Sequence, residues 1–345
     1  MIKNIIAILA GVVLVLFILK STARLPNEKP NGFKRKLTAN PLMPLKQVPL
    51  KVALESICGT KSGDIYFTTP HPGWLIRLDT TLTRQDTFAF GLPAHHEIPG
   101  AHETVADAPR AFLFANNIPA VYSGNWEQQS FDTLYRPANT FSRAVYMPPN
   151  NIVLRVLDSS LQRQRLQRIN IHTKHIEAEN DLFAAQENGG FDRDGLLRYD
   201  TATKRLFYIE LYRNAFYCMD TSLHLLYTGH TIDTMLHNPI SVQWVKWENE
   251  KRLMPAKART SVTQDAVVAN GYLFIVSNLK ADNERGWIFN HNAVVDMYRV
   301  QDGSYYGSFY IPRYNDEKLK SFAVYNDRVV ALYTSQVATF KWQPL

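Results

Sequence analysis

Cysteine is nearly absent from this chain: Cys58 and Cys218 are the only two in 345 residues. Each sits in an apolar, strand-like run, so two buried core thiols are the ordinary reading. A disulfide between them would need an oxidising compartment. No cysteine lies beside the N-terminal apolar run, which excludes a lipoprotein. The chain also lacks a Gly-x-Ser-x-Gly nucleophile elbow, a phosphate-cradling glycine loop and a Cys-x-x-Cys-His haem site. Almost no stretch after residue 25 shows helical periodicity, which argues against a helical or doubly wound fold.

The chain has one long hydrophobic run, the 15 residues Ile5 to Leu19. As a helix it would cover about 22 Å, short of the ~30 Å hydrocarbon core. Extending it over residues 2–20, with Lys3 and Lys20 snorkelling, brings it close to spanning. Two readings follow: an uncleaved signal anchor, or a signal peptide cut near Ala23 after the small residues Ser21 and Thr22. Either way the body is expected outside the cytoplasm. In a bacterium this means a single-pass protein of the cytoplasmic membrane facing the periplasm, or a secreted periplasmic one. Positive charges flank both ends of the run, so orientation by charge bias is weakly determined.

Acidic charge is scarce in one place only. The net charge is +7, but residues 1–36 hold seven basic groups against Glu28 alone, leaving +1 for the rest. A nearly neutral body is not the footprint of a nucleic-acid binder. A basic arm beside an apolar run instead suits anionic headgroups. Residues 24–50 carry Pro26, Pro30, Pro41, Pro44 and Pro49 and read as an extended linker.

What is abundant is strand grammar, with 17 Tyr and 18 Phe. Glu55 to Phe90 reads as four short strands: an apolar run to Cys58, Ile65 to Phe67, Trp74 to Leu78 and Gln85 to Phe90. A Ser62-Gly63-Asp64 turn, a Pro70 to Gly73 break and an Asp79-Thr80-Thr81 turn separate them. Further units begin their second strands near Ile118, Ile152, Leu206, Tyr272 and Arg328. In the second unit the strands are expected at Ala111 to Phe114, Ile118 to Tyr122 and Ser130 to Tyr135. Irregular spacing with a shared four-strand unit predicts an all-β, six-bladed propeller over residues 51–345. It would follow a signal anchor or signal peptide (1–23) and the linker (24–50). The sixth unit lacks its fourth strand. Asn31 to Leu37, or the segment around Gln47, would have to supply it and cover the open edge.

Antiparallel blades divide their loops between two faces. First-to-second and third-to-fourth turns are short throughout. Second-to-third loops and blade connections hold every long insertion: Gly91 to Pro109, Ala184 to Asp194, Thr228 to Thr260 and Asn278 to Asn292. Long loops on one face of a rigid scaffold are the expected binding surface for a protein or small molecule. The candidate binding residues are His71, Trp126, His230, His237, Trp244, Trp247, Trp287 and His291, with Trp as anchors. Trimming Thr231 to Arg259 is expected to leave the fold intact. A second cluster, His95-His96-Glu97 with His102-Glu103, supplies metal-type ligands. Pro99-Gly100 breaks its spacing, so no fixed geometry follows. Glu55, Asp107, Arg143, Asp194 and Asp265 stand at expected first-strand starts facing the channel.

The units resemble blades of the NHL, TolB-like and gluconolactonase-like group of six-bladed propellers. Leu54-Glu55-Ser56 through Gly63-Asp64-Ile65-Tyr66-Phe67 to Arg77-Leu78-Asp79 is similar to a first lactonase blade. Asp194-Gly195-Leu196 to Cys218-Met219-Asp220 is similar to a later one. The resemblance covers residues 50–345. It implies a divalent cation such as calcium, held by Glu55, Asp194 and Asp265 and polarising a lactone carbonyl in a hydrolase. Asp194 stands where that group has Asn, and Arg143 would bring positive charge into the channel. Some dehydrogenase heavy subunits are propellers too, so an accessory subunit of a periplasmic redox system is a further implication. The primary expectation is a binding or scaffold module without a cofactor and without catalytic residues.

Overall fold

The computed structural model describes residues 4, 11–18, 30–38, 41–92, 102–116, 118–158, 163–182, 190–236, 238, 240–247 and 250–343. The fourth strand of the last blade comes first in the chain: β1 (Leu42–Pro49). Blade 1 is β2 (Ile57–Lys61), β3 (Asp64–Thr68), β4 (Trp74–Asp79) and β5 (Gln85–Ala89). Blade 2 is β6 (His102–Asp107), β7 (Arg110–Ala115), β8 (Ala120–Asn125) and β9 (Ser130–Tyr135). Blade 3 is β10 (Phe141–Met147), β11 (Asn151–Asp158), β12 (Arg163–Asn170) and β13 (Ile176–Asn180). Blade 4 is β14 (Gly195–Asp200), β15 (Arg205–Glu210), β16 (Ala215–Met219) and β17 (Leu225–His230). An extra hairpin follows, β18 (Val242–Trp247) and β19 (Glu250–Pro255). Blade 5 is β20 (Thr263–Ala269), β21 (Tyr272–Ser277), β22 (Asn292–Arg299) and β23 (Tyr305–Pro312). Blade 6 is β24 (Ser321–Tyr325), β25 (Arg328–Leu332) and β26 (Gln336–Trp342), completed by β1.

The burial pattern explains the strand grammar. Second strands such as β7, β15 and β21 are buried over their last five residues. Both their faces pack against neighbouring blades, so they read as continuous apolar runs. Outer strands such as β5 and β13 stay largely in solvent. Six buried apolar clusters occupy the six interfaces between adjacent blades. The Asn270-Gly271 turn has positive φ at both residues, the hairpin geometry this pair favours.

The structure bears on four expectations. First, the segment around Gln47 closes the ring, with Leu42 opposite Trp342 and Pro49 opposite Gln336. Pro44 adjoins a register shift in this edge strand, where a missing N–H is tolerated. Asn31 to Leu37 does not close the ring. It crosses blade 5, where Leu37 bridges Ser308 and Arg35 enters the blade. Second, the strands of blade 2 lie one place on from the expected assignment. Ala111 to Phe114 is its second strand, and its first is β6, short and polar enough to pass for loop. Third, Asp107 ends β6 instead of starting a strand, so Glu103 stands at the channel entrance in its place. Fourth, among the described residues no helix is long and apolar enough to cross a membrane. The apolar run is described only as helix at 11–18 and at Asn4.

The N-terminal segment makes a buried latch. Arg35 forms ion pairs with Glu284 and Asp296, and its side chain and that of Glu284 are fully buried. The Asn31 and Gly32 N–H groups donate to the Asp282 carboxylate at 2.7 and 3.1 Å. Asn283 brackets Arg35, accepting from its N–H and donating to its carbonyl. Removing solvent from three charges is tolerable only because each has an opposite partner.

Candidate functional site

The first strands line a central cavity of about 890 Å3. Glu55, Glu103, Asp265, Arg198 and Lys320 contribute to its wall. The inner strands are tied by polar links from blade to blade. Arg143 donates from Nη2 to Asp194 at 2.9 Å and from Nε to the Gly195 carbonyl, while Nη1 bonds its own neighbour, the Ser142 carbonyl. Arg198 repeats this arrangement one blade on. Its Nη2 meets Asp265 at 3.0 Å, Nε meets the Ala266 carbonyl, and Nη1 meets the Leu197 carbonyl. Each aspartate also accepts the N–H of the residue that follows it. Arginine suits this role because its planar fork holds a carboxylate and a carbonyl together.

The remaining interfaces are linked as well. Glu103 lies 3.9 Å from Arg143. The Gln264 amide donates to the Leu319 carbonyl at 2.8 Å, and Lys320 Nζ to the Leu54 carbonyl at 2.7 Å. Lys61 pairs with Asp107 at 2.6 Å. Gly59 is required here, because a Cβ would meet the Ala106 carbonyl oxygen at 2.1 Å. Burial raises the Glu103 and Asp265 carboxyls above their ordinary values, more than Arg143 and Arg198 respectively lower them. Burial likewise pushes the Cys58 thiol up to about 12, and both cysteines are free.

This arrangement bears on the metal-site expectation. Asp194 is engaged by Arg143 and Arg155, and Asp265 by Arg198. Among the described residues no group of three or more His, Cys, Asp or Glu is placed to hold a metal ion. Glu55, Asp194 and Asp265 are therefore not brought together as ligands, and the implied calcium has no matching donor set in them. Arg143 is the physical reason on one side: its guanidinium already neutralises Asp194 at 2.9 Å. His102 lines the cavity. His95, His96 and Glu97 lie outside the described residues.

The long-loop candidates divide. Trp244 and Trp287 are 68% and 63% exposed, the first on β18 and the second in a short helix, Gly286–Asn290. Trp74, which sequence reading used only as a strand marker, is 49% exposed and lies 5.3 Å from the His71 ring. His291 is exposed, with Nδ1 2.7 Å from the Trp287 carbonyl oxygen, and His230 is exposed with Nδ1 3.2 Å from the Asn214 carbonyl oxygen. His237 and the Trp247 side chain lie outside the described residues. Trp126 is corrected. It sits in the β8–β9 turn, a third-to-fourth turn of the short set, because the blade boundary moved. Its ring packs on Tyr66, Phe88 and Phe90 of blade 1, and its indole N–H donates to the Arg110 carbonyl. The ring is half-buried in these contacts.

The insertion between blades 4 and 5 also has two parts. Ile232 packs into the blade 4–5 core, with Thr231 and Asp233 buried beside it, and its N–H bonds the Tyr298 hydroxyl. Arg259 lies 3.6 Å over the Tyr212 ring and bonds the Asn238 and Phe191 carbonyls. Trimming Thr231 to Arg259 would therefore cut into the core. The β18–β19 hairpin alone pairs with no other sheet, and the Ala256 N–H closes its base on the Ser241 carbonyl.

No protein-family model matches the sequence, and no curated protein matches it. Solved structures do. A member of the DUF4221 family from Bacteroides vulgatus is similar at TM-score 0.57 and 11% identity, over 88% of this chain and 98% of that one. A catalytically inactive virginiamycin B lyase from Staphylococcus aureus with quinupristin is similar at TM-score 0.50 and 10% identity, over 86% of this chain and 99% of that one. Likeness at such identities shows the fold alone. The chain is an all-β, six-bladed propeller.

Proposed function

We propose that this chain is a membrane-tethered, extracytoplasmic propeller acting as a binding module, with the long-loop face as its working surface. One observation carries the reading. Trp74, Trp244 and Trp287 are the exposed tryptophans among the described residues; Trp74 opens β4 at the end of the β3–β4 loop, Trp287 lies in the β21–β22 loop and Trp244 in a blade connection. Topology places those segments on one face. A tryptophan can bury roughly 150–250 Å2 on contact, so three in solvent on a single face describe a surface built to be covered. The inner-ring charges support the same reading from the other side, since Arg143 and Arg198 engage Asp194 and Asp265, two of the three carboxylates the hydrolase alternative would use.

The test is excision of Val242 to Pro255, joining Ser241 to Ala256. The excised protein should keep its unfolding midpoint and lose capture of its ligand or partner, and Trp287→Ala alone in the full chain should weaken capture. Unchanged capture by the excised protein, at equal stability, would sink the proposal.

A further inference from the structure

The latch fixes which face meets the tether. Asn31 leaves the body between Thr234, whose hydroxyl donates to its carbonyl at 2.7 Å, and Asp282. Thr234 belongs to the connection that leads into β18, and Asp282 to the loop that carries Trp287. Both are long-loop segments. The apolar run ends at Leu19, and the ten residues 21–30 reach at most about 36 Å even fully extended. A chain anchored by residues 2–20 therefore holds the long-loop face, not the short-turn face, towards the bilayer.

The β18–β19 hairpin has the chemistry of that boundary. Its register sets Val242, Trp244 and Lys246 opposite Pro255, Leu253 and Lys251. Trp244 is 68% exposed, Leu236 before the hairpin 56%, and Met254 40%. From Val242 to Pro255 the sequence carries three basic residues against two acidic ones, and Lys257 follows on the same connection. Lys34 and Lys36 are exposed on the latch itself. A two-stranded ribbon is marginal alone in water. Tryptophan with flanking lysines is the combination favoured where hydrocarbon gives way to headgroups.

We propose that the β18–β19 hairpin is an interfacial foot that rests on an anionic phospholipid surface and sets the long-loop face against the membrane. The proposal rests on the tether reading above, and names the first occupant of the same face.

The test uses the full chain in vesicles of phosphatidylcholine and phosphatidylglycerol whose acyl chains carry bromine, a contact quencher of tryptophan. Wild type should float with the vesicles and show a quenched component that Trp244→Phe with Trp247→Phe abolishes. Each of Lys246→Glu and Lys257→Glu should weaken apposition roughly fivefold at low salt. Because Trp244, Lys246 and Lys257 are exposed, the variants at these three positions should keep the wild-type unfolding midpoint, and the midpoint of the double variant is measured beside its quenching. A chain that does not float overturns the tether, and the foot with it. Flotation with equal quenching in wild type and the double variant overturns the foot alone. Hairpin-dependent self-association with no quenching assigns the surface to a second copy and overturns the foot too.

Discussion

Along the channel, charged side chains reach across to the neighbouring blade; on the long-loop face, the largest apolar side chains reach into solvent. Arg143 and Arg198 each bind a carboxylate and two carbonyls at half-buried positions. Trp244 and Trp287 have most of their surface free. The inner ring thus uses polarity for cohesion. Adjacent blades are separate sheets with no strand ladder between them, and directional bonds at the inner edge supplement the apolar interfaces. The outer loops carry the surface not needed for folding. A polar channel is therefore weak evidence for catalysis in this fold until its carboxylates are shown to be free.

If that contrast is right, substitutions at the two regions should separate stability from binding. The largest stability loss is expected at the latch that connects them. Arg35→Ala leaves Glu284 and Asp296 buried without a counter-charge and should cost about 3–5 kcal/mol, read from urea unfolding. Arg198→Ala should cost less, about 1–2 kcal/mol, because its side chain is 34% exposed and water replaces part of the interaction. A loss at Arg198 as large as at Arg35 would show that the ring charges are more isolated than their exposure implies.

A smaller effect is expected from acid. Folded Glu103 keeps its proton at pH values where the unfolded chain has released it, since burial raises its pKa. Its contribution therefore opposes folding above the raised value. That opposition lifts as pH falls through the raised value towards the ordinary carboxylate range. Relative to Glu103→Gln, wild type should gain in urea midpoint on acidification from neutral pH. A difference independent of pH would contradict the burial argument. The smallest stability effect belongs to Trp244→Ala, under about 0.5 kcal/mol, measured beside binding so that the two readouts part company.

The blades were legible because second strands are buried on both faces and so keep unbroken apolar runs, as Phe112 to Phe114 and Leu206 to Ile209 do. The β6 strand was not, because His102 to Asp107 has only Val105 and Ala106 as apolar residues. That one miss displaced Trp126 and hid Glu103. The ring-closing strand was narrowed to two segments but not chosen, since strand pairing between Gln47 and Ala338 leaves no local trace. The latch was invisible for the same reason: Arg35 meets partners some 250 residues away. The Arg143 and Arg198 links had a faint signal, an Asp followed by a small residue at Asp194-Gly195 and Asp265-Ala266. Only the ring geometry gives that pattern meaning. The division of long and short loops between faces was legible from topology alone.

The most direct test of the long-loop face as the working surface is photo-crosslinking in cells. A photoreactive side chain is placed singly at Trp74, Trp244 or Trp287, and for comparison at Asn270 or Asn326 in the short turns. The account predicts lipid or protein adducts from the three tryptophan positions and none from the two asparagines. Equal adducts from both sets, or adducts from the short turns alone, would contradict it.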